Sequence, residues 1–279
     1  MRILKTISAY RSVYKQEFKT KTIGFVPTMG FLHEGHFSLV RESVKNNDIT
    51  VVSIFVNPKQ FAPDEDLSQY PRNIDKDIES LEREGVNVLF MPNTDEMFSP
   101  GNVADISIND VYTNRLCGRY REQHFEGVAL IVLKLFNVIQ PNNAYFGLKD
   151  YQQYQLIKQM VKDFNLNIKV IGMPIIREIN GLAMSSRNAY LSSGDRKLAA
   201  CIQEGLLYVV AQVNENIDVQ YVSKIYFEYL SLKSDKFRVQ YIEIYNRNLE
   251  EIKSFEKGNM FIGVAVYLGD VRLIDNILF

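Results

Sequence analysis

The chain has 279 residues, enough for about two ordinary domains with cores of their own, which excludes a minimal disulfide-stapled fold. Lys plus Arg number 32 against 33 Asp plus Glu, a formal charge of -1, so overall charge builds no polyanion-binding surface and no nucleic-acid partner is expected. The two cysteines, Cys117 and Cys201, are too few for a zinc cluster or a disulfide framework and fit a reducing cytoplasm.

Residues 1–18 interleave Arg2, Lys5, Arg11, Lys15 and Glu17 with apolar side chains, a spacing that predicts an amphipathic helix rather than a secretory leader. The apolar run 22–26, ending at Pro27, predicts a buried strand, and a turn follows at Met29-Gly30. Phe37, Leu39, Val40 and Val44 then predict a helix from about Gly35 to Asn46-Asn47. Residues 49–56 predict a second strand, 57–71 a loop, Ile74, Ile78 and Leu81 a helix closed by Gly85, and 86–91 a third strand. Further on, 128–138 reads as helix, 144–146 as strand, 151–164 as helix and 168–173 as strand. The longest apolar stretch, 127–139, is interrupted by Lys134 and Asn137 and falls short of the roughly 20 residues that span a bilayer, so no membrane partner is expected. Continuous apolar strands alternating with helices imply an α/β fold with a parallel sheet covered on both faces. Beyond Pro174 the pattern shifts to helices over 194–213 and 219–232 and strands over 239–245, 260–267 and 271–278, the last two a hairpin through Gly269-Asp270. A division into residues 1–175 and 176–279 is therefore expected.

Residues with chemistry cluster at the expected strand ends. His33 and His36 stand one turn apart at the entrance to the first βα helix, where free N–H groups and the helix dipole favour an anion and the glycines allow close backbone approach. Two such histidines also serve as zinc ligands with His124 or a carboxylate, although Glu34 does not give the His-Glu-x-x-His spacing of zinc proteases. Asn57 and Gln60 follow the second strand with amides that read hydroxyls and carboxylates. Lys149, with Asp150 at the start of a helix and Gln153 one turn into it, offers a charge for phosphate. Residues 184–188 add Ser185, Ser186 and Arg187 in a loop just past the expected division, suited to a mobile phosphate clamp.

Taken together, residues 27–36 with Asn57-Pro58-Lys59-Gln60-Phe61, Tyr70-Pro71-Arg72, Gly147 to Gln153 and Met184 to Asn188 closely resemble the pantothenate synthetase (pantoate:β-alanine ligase) family, in order along residues 22–192. His33-Glu34-Gly35-His36 is also similar to the His-x-x-His phosphate motif of the wider nucleotidyltransferase and class I aminoacyl-tRNA synthetase superfamily, and residues 184–187 to its basic signature loop. The resemblance implies a Rossmann-like nucleotide-binding domain, a smaller α+β lid domain and a homodimer. It implies that pantoate carboxylate attacks the α-phosphorus of ATP, and that β-alanine then attacks the resulting pantoyl adenylate. By this resemblance Met29, Gly30, Phe31, Leu32, His33, Glu34, Gly35 and His36 form the first ATP segment, with His36 the proton donor at a pKa near neutrality. Gly147, Leu148, Lys149 and Asp150, the backbone near Ile176, and Met184, Ser185, Ser186 and Arg187 supply the remaining ATP contacts. Catalysis falls to His33, His36, Lys149 and Arg187; pantoate and β-alanine fall to Gln60 and Gln153, bordered by Asn57, Arg121 and His124. Mg2+ is expected with ATP, its ligands open between Asp75, Asp77 and neither. Leu148 departs from the glutamate common in the family, and Phe31 and Phe37 replace aliphatic residues. A histidine-based metal hydrolase and a catalytically silent nucleotide-binding protein are the alternatives.

Overall fold

A computed structural model describes residues 1–63, 65–99, 101, 104–214, 221–252 and 256–279. Strands β1 (Arg2–Leu4), β2 (Ile23–Thr28), β3 (Ile49–Ile54), β4 (Val88–Phe90), β5 (Asn143–Gly147) and β6 (Lys169–Met173) form one sheet in the order β1-β4-β3-β2-β5-β6. Every neighbouring pair is parallel. Strands β7 (Phe237–Asn246), β8 (Met260–Leu268) and β9 (Val271–Leu278) form a second, antiparallel sheet.

The continuous apolar runs are strands buried on both faces, since alternate side chains enter different cores. Phe25, Val51, Val88 and Phe90 pack against Val128, Ile131, Leu135 and Phe136 of the helix His124–Ile139. Their neighbours Val26, Val52 and Leu89 face Leu39 and Val40 of the helix Glu34–Asn46 and Leu81 of Ile74–Arg83. In the second sheet Ile262, Val264 and Val266 meet Leu206 and Val209 of the helix Cys201–Asn214 and Tyr226 of Val222–Ser231. The alternate residues Phe261 and Ala265 join the core under the large sheet, so β8 is also covered on both sides.

Three expectations change. Residues 1–18 are not one helix: β1 is a short edge strand, and a helix over Ile7–Val13 starts only after Thr6, whose Oγ1 accepts from Ala9 N at 3.2 Å. Three residues carry too little periodicity to announce a strand, and β4 becomes their partner only on folding. Pro27 lies inside β2 rather than ending it. It is tolerated because the β2–β5 register covers only Gly24 and Phe25, leaving no ladder bond to β5 that its missing N–H would break. The helix expected over 194–213 is two, Ser193–Leu198 and Cys201–Asn214, and short helical turns occupy Thr94–Met97, Asp110–Thr113 and Leu116–Tyr120. Residues 219–220 of the next expected helix, and residue 64 of the expected loop 57–71, lie outside the described residues.

Candidate active site

Chain order reverses beside β2: β3 and β4 are added on one side, β5 and β6 on the other. Open parallel sheets hold ligands at such a reversal, beyond the carboxyl ends of the strands. Here β2 and β5 part after Phe25–Ala144, and a cavity of about 230 Å³ opens between the loops that follow them.

The β2 loop brings Met29, His33, Gly35 and His36 to that cavity. His33 is the N-cap of the helix Glu34–Asn46, its Nδ1 accepting from Gly35 N at 3.1 Å, while His36 Nδ1 accepts from His33 N at 3.3 Å. The two imidazoles thus form a reciprocal capping box usually built by Ser or Thr with Glu or Gln. Because each Nδ1 is an acceptor, each neutral ring carries its proton on Nε2, the atom left over for a ligand. The rings lie 4.1 Å apart. Burial lowers the His33 pKa to about 4, with Lys149 adding to the effect, and burial beside His33 and Lys149 lowers His36 well below its ordinary value. This corrects the expectation of a near-neutral pKa: without a ligand both rings are neutral, and they act as Nε2–H donors rather than as preformed cations.

After β5, Gly147, Lys149, Asp150 and Gln153 line the cavity; Lys149 Nζ stands 3.6 Å from Asp150 Oδ2. Leu148 does not line it but packs against the core, and its carbonyl and that of Lys149 each accept from Asn276 Nδ2 at 2.9 Å. Past β6, Ile176, Met184, Ser185, Ser186 and Arg187 close the wall. Met184 N donates to Ile176 O at 2.9 Å, and Ser185 Oγ accepts from Arg187 N at 3.3 Å. Arg187 is held by Asp66 through Nε at 3.1 Å and Nη2 at 2.7 Å, with its guanidinium 5.8 Å from the centre of the Tyr70 ring.

Asn57, Gln60, Arg121 and His124 all border the cavity, but three of them serve the fourth. Asn57 Nδ2 donates to Gln60 Oε1 and to Gly127 O, both at 3.0 Å, and its Oδ1 accepts from Lys59 N. His124 Nδ1 donates to Gln60 O at 2.8 Å, and its Nε2 accepts from Arg121 Nη1 at 2.9 Å. Arg121 is clamped by Glu65 through two contacts of 2.6 Å. Burial, reinforced by Arg121, lowers the His124 pKa to about 3. Asn57, Arg121 and His124 therefore each give one polar group to Gln60, Arg121 through Nη2 to its carbonyl at 3.3 Å, whereas Gln153 makes no side-chain hydrogen bond among the described residues.

Gly30, Phe31, Leu32 and Glu34 belong to the first segment without lining the cavity. Glu34 is exposed and paired with Arg41; the other three turn over Asp77, whose carboxylate accepts from Phe31 N and Leu32 N, each at 2.8 Å. Both Asp77 oxygens are thus engaged away from the cavity and Asp75 is exposed outside it, which removes both as candidate magnesium ligands. Glu65 and Asp66 escaped notice as parts of the site because acidic residues in a loop carry no local sign of the arginines that folding supplies, and Asp77 meets a backbone turn instead of the magnesium ion the sequence suggested.

The whole chain compares closely with proteins already described. Residues 2–278 match the family described as Pantoate-beta-alanine ligase. The pantothenate synthetase of Pseudothermotoga lettingae is 44% identical, the match covering 99% of this chain and 98% of that protein. That of Caldicellulosiruptor bescii is 45% identical over 100% of this chain and 99% of its own. Among solved structures, pantothenate synthetase from Thermus thermophilus superposes with a TM-score of 0.92 at 37% identity, covering 100% of this chain and 99% of that one. Pantoate-beta-alanine ligase from Francisella tularensis, complexed with Beta-gamma ATP and Beta-alanine, gives 0.85 at 38% identity over 100% and 97%.

Proposed function

The chain belongs to the pantoate–β-alanine ligase family, and we propose that it condenses pantoate with β-alanine through a pantoyl adenylate, consuming ATP and releasing pyrophosphate and AMP. The observation that carries this reading is the convergence on one cavity of a helix N-terminus capped by His33 and His36, the cations Lys149 and Arg187, and the amides of Gln60 and Gln153.

A free carboxylate is a poor acyl donor, so the first task is to activate it. The triphosphate lies against the N-terminus of the helix Glu34–Asn46, where free N–H groups, the dipole and the two Nε2–H donors favour negative charge. A pantoate carboxylate oxygen attacks the α-phosphorus, the bond to the bridging oxygen breaks, and pyrophosphate departs with the electron pair. Lys149 and Arg187 stabilise the charge that builds on the phosphate oxygens, Arg187 after exchanging Asp66 for phosphate. Gln60, held from behind by Asn57, Arg121 and His124, and Gln153 orient pantoate for in-line approach. The β-alanine amine then attacks the activated carbonyl and expels AMP.

Among the described residues Asp150 is the cavity carboxylate that no arginine claims, and no group of three His, Cys, Asp or Glu side chains is placed to hold a metal ion. That donor set fits Mg2+ carried mainly on ATP phosphates, as is usual for this ion. Such an ion would neutralise phosphate charge, and Asp150 would be the residue to share it. Residues 176–279 form, in this reading, a lid that carries the 184–187 loop, the division falling near residue 175. The active form is a cytoplasmic homodimer, and light scattering on the purified chain tests its size.

The test is to incubate the purified chain with ATP, magnesium and pantoate, with and without β-alanine, and to follow products by mass spectrometry. Pyrophosphate and pantoyl adenylate form without β-alanine; AMP and pantothenate follow its addition. ATP binding without product supports a silent nucleotide-binding protein instead.

A further inference from the structure

Of the two carboxylates buried among the described residues, Asp275 is paired with Arg177 at 2.6 Å, and Asp77 is paired with no cation. A carboxylate withdrawn from water without a counter-charge is costly unless hydrogen bonds replace its hydration. Asp77 is 2% exposed, and those bonds come from the backbone of Phe31 and Leu32, one to each oxygen at 2.8 Å.

The turn that offers them is itself unusual. Gly30 and Phe31 are consecutive left-handed residues, with φ of 83° and 51°. Phenylalanine avoids that region, so something outside the loop must hold it there. Successive N–H groups in such a turn form a concave anion site, and Asp77 fills it. Glycine at position 30 is what allows the approach, because a Cβ there would lie 3.2 Å from Asp77 Oδ2 and 3.0 Å from Ile54 Cγ2.

The turn is also the link between the two ATP segments. Leu32 leads directly into His33, the cap of the helix Glu34–Asn46. On the other side the Phe31 carbonyl accepts from Ser186 Oγ at 3.2 Å, next to Arg187.

We propose that Asp77 is a positioning residue for the nucleotide: its buried carboxylate serves as a built-in anion that sets the turn at residues 30–32 and thereby the placement of His33, His36 and Ser186 around the phosphates. This rests on the ATP reading of residues 29–36 and 184–187. Asp77 touches no substrate and works only through the backbone it binds.

The isosteric variant Asp77→Asn separates this role from simple packing, since an amide keeps the volume but offers one acceptor oxygen and turns an NH2 against an N–H. Steady-state pyrophosphate release from ATP and pantoate would be measured for wild type and variant, with thermal unfolding as a check on the fold. The expected result is a rise in KM for ATP of about tenfold or more, the scale for losing one charge-assisted hydrogen bond, with KM for pantoate within about twofold of wild type. Unchanged ATP kinetics, or equal damage to both substrates, overturns the proposal. Should the variant fail to fold, amide exchange in the unliganded wild type decides: slow exchange at Phe31 and Leu32 supports the assignment, and exchange at the rate of open loop amides overturns it. A wild type that releases no pyrophosphate removes the ATP reading itself, and the proposal with it.

Discussion

At the scale of single residues, the site is organised by where protons and charges are forced to sit. His33, His36 and His124 all have pKa values lowered by burial, to about 4 for His33 and about 3 for His124. In the unfolded chain each would bind a proton near pH 6.5. Between that pH and the folded values the unfolded state holds more protons, so stability rises with pH there and is lost as pH falls from about 6.5 toward 4. Each such group contributes a limiting slope of about 1.4 kcal/mol per pH unit, so urea unfolding of the unliganded chain at pH 7, 6 and 5 should show progressively earlier midpoints. Midpoints that do not move over this range would place the rings in water. Lys149 makes the complementary case: it is mostly covered and its nearest acid is Asp150 at 3.6 Å, a loose pair that contributes little to folding. Lys149→Ala should therefore lower kcat for adenylate formation about 100-fold or more, with little change in the unfolding midpoint. Parallel loss of stability and rate would contradict the assignment. The histidine pair, Lys149 and Arg187 were legible as phosphate candidates from their types and their places beside expected strand ends, whereas Gln153 was legible only through the family resemblance. Which proton each imidazole keeps was not, since it depends on Gly35 N and His33 N arriving at the Nδ1 atoms.

At the scale of elements, the helix His124–Ile139 is both core wall and support for the loop that carries Gln60. Its apolar side packs under the sheet, while its first turn lies against the 3-10 turn Pro58–Gln60. Contact there is so close that a Cβ on Gly127 would sit 2.1 Å from Lys59 O and 2.9 Å from Gln60 N. Gly127→Ala should thus push the turn carrying Gln60 outward, although alanine favours a helix. The expected outcome is a KM for pantoate raised about tenfold and a chain destabilised by about 1–3 kcal/mol, as for other overpacking changes. Unaltered pantoate kinetics would show that Gln60 does not depend on this contact. Sequence periodicity located the helix but began it at residue 128, because the polar residues of its first turn, His124 and Glu126, interrupt the apolar pattern, His124 turning to the Gln60 carbonyl. The same limit explains β1, whose three residues become a strand only because β4 lies beside them.

At the scale of the whole molecule, the C-terminal sheet and the loops after β5 and β6 are tied together by a few polar contacts over a shared core. Arg177 reaches Asp275 on β9 through two bonds of 2.6 and 2.9 Å, and Asn276 beside it holds the carbonyls of Leu148 and Lys149. Asp275 is buried, so removing its charge leaves the mostly covered Arg177 without its counter-charge, with the Gly181 carbonyl still accepting from Nη1. Asp275→Ala should cost about 3 kcal/mol by urea unfolding, near the lower end for broken buried pairs, and an unchanged midpoint would show that the pair is freely exchanged with water. Sequence alone determined the α/β class, the parallel arrangement and the set of basic, imidazole and amide side chains that gather at one cavity, because burial on both faces demands continuous apolar strands and open parallel sheets hold ligands beyond their strand ends. Tertiary structure alone decided the partners: Asp66 on Arg187, Glu65 on Arg121, Asp77 under the turn at residues 30–32, and Asn57 and His124 behind Gln60. These contacts join residues far apart in the chain, and a charge or an amide has no preferred partner until the fold brings one within hydrogen-bond distance and takes the water away.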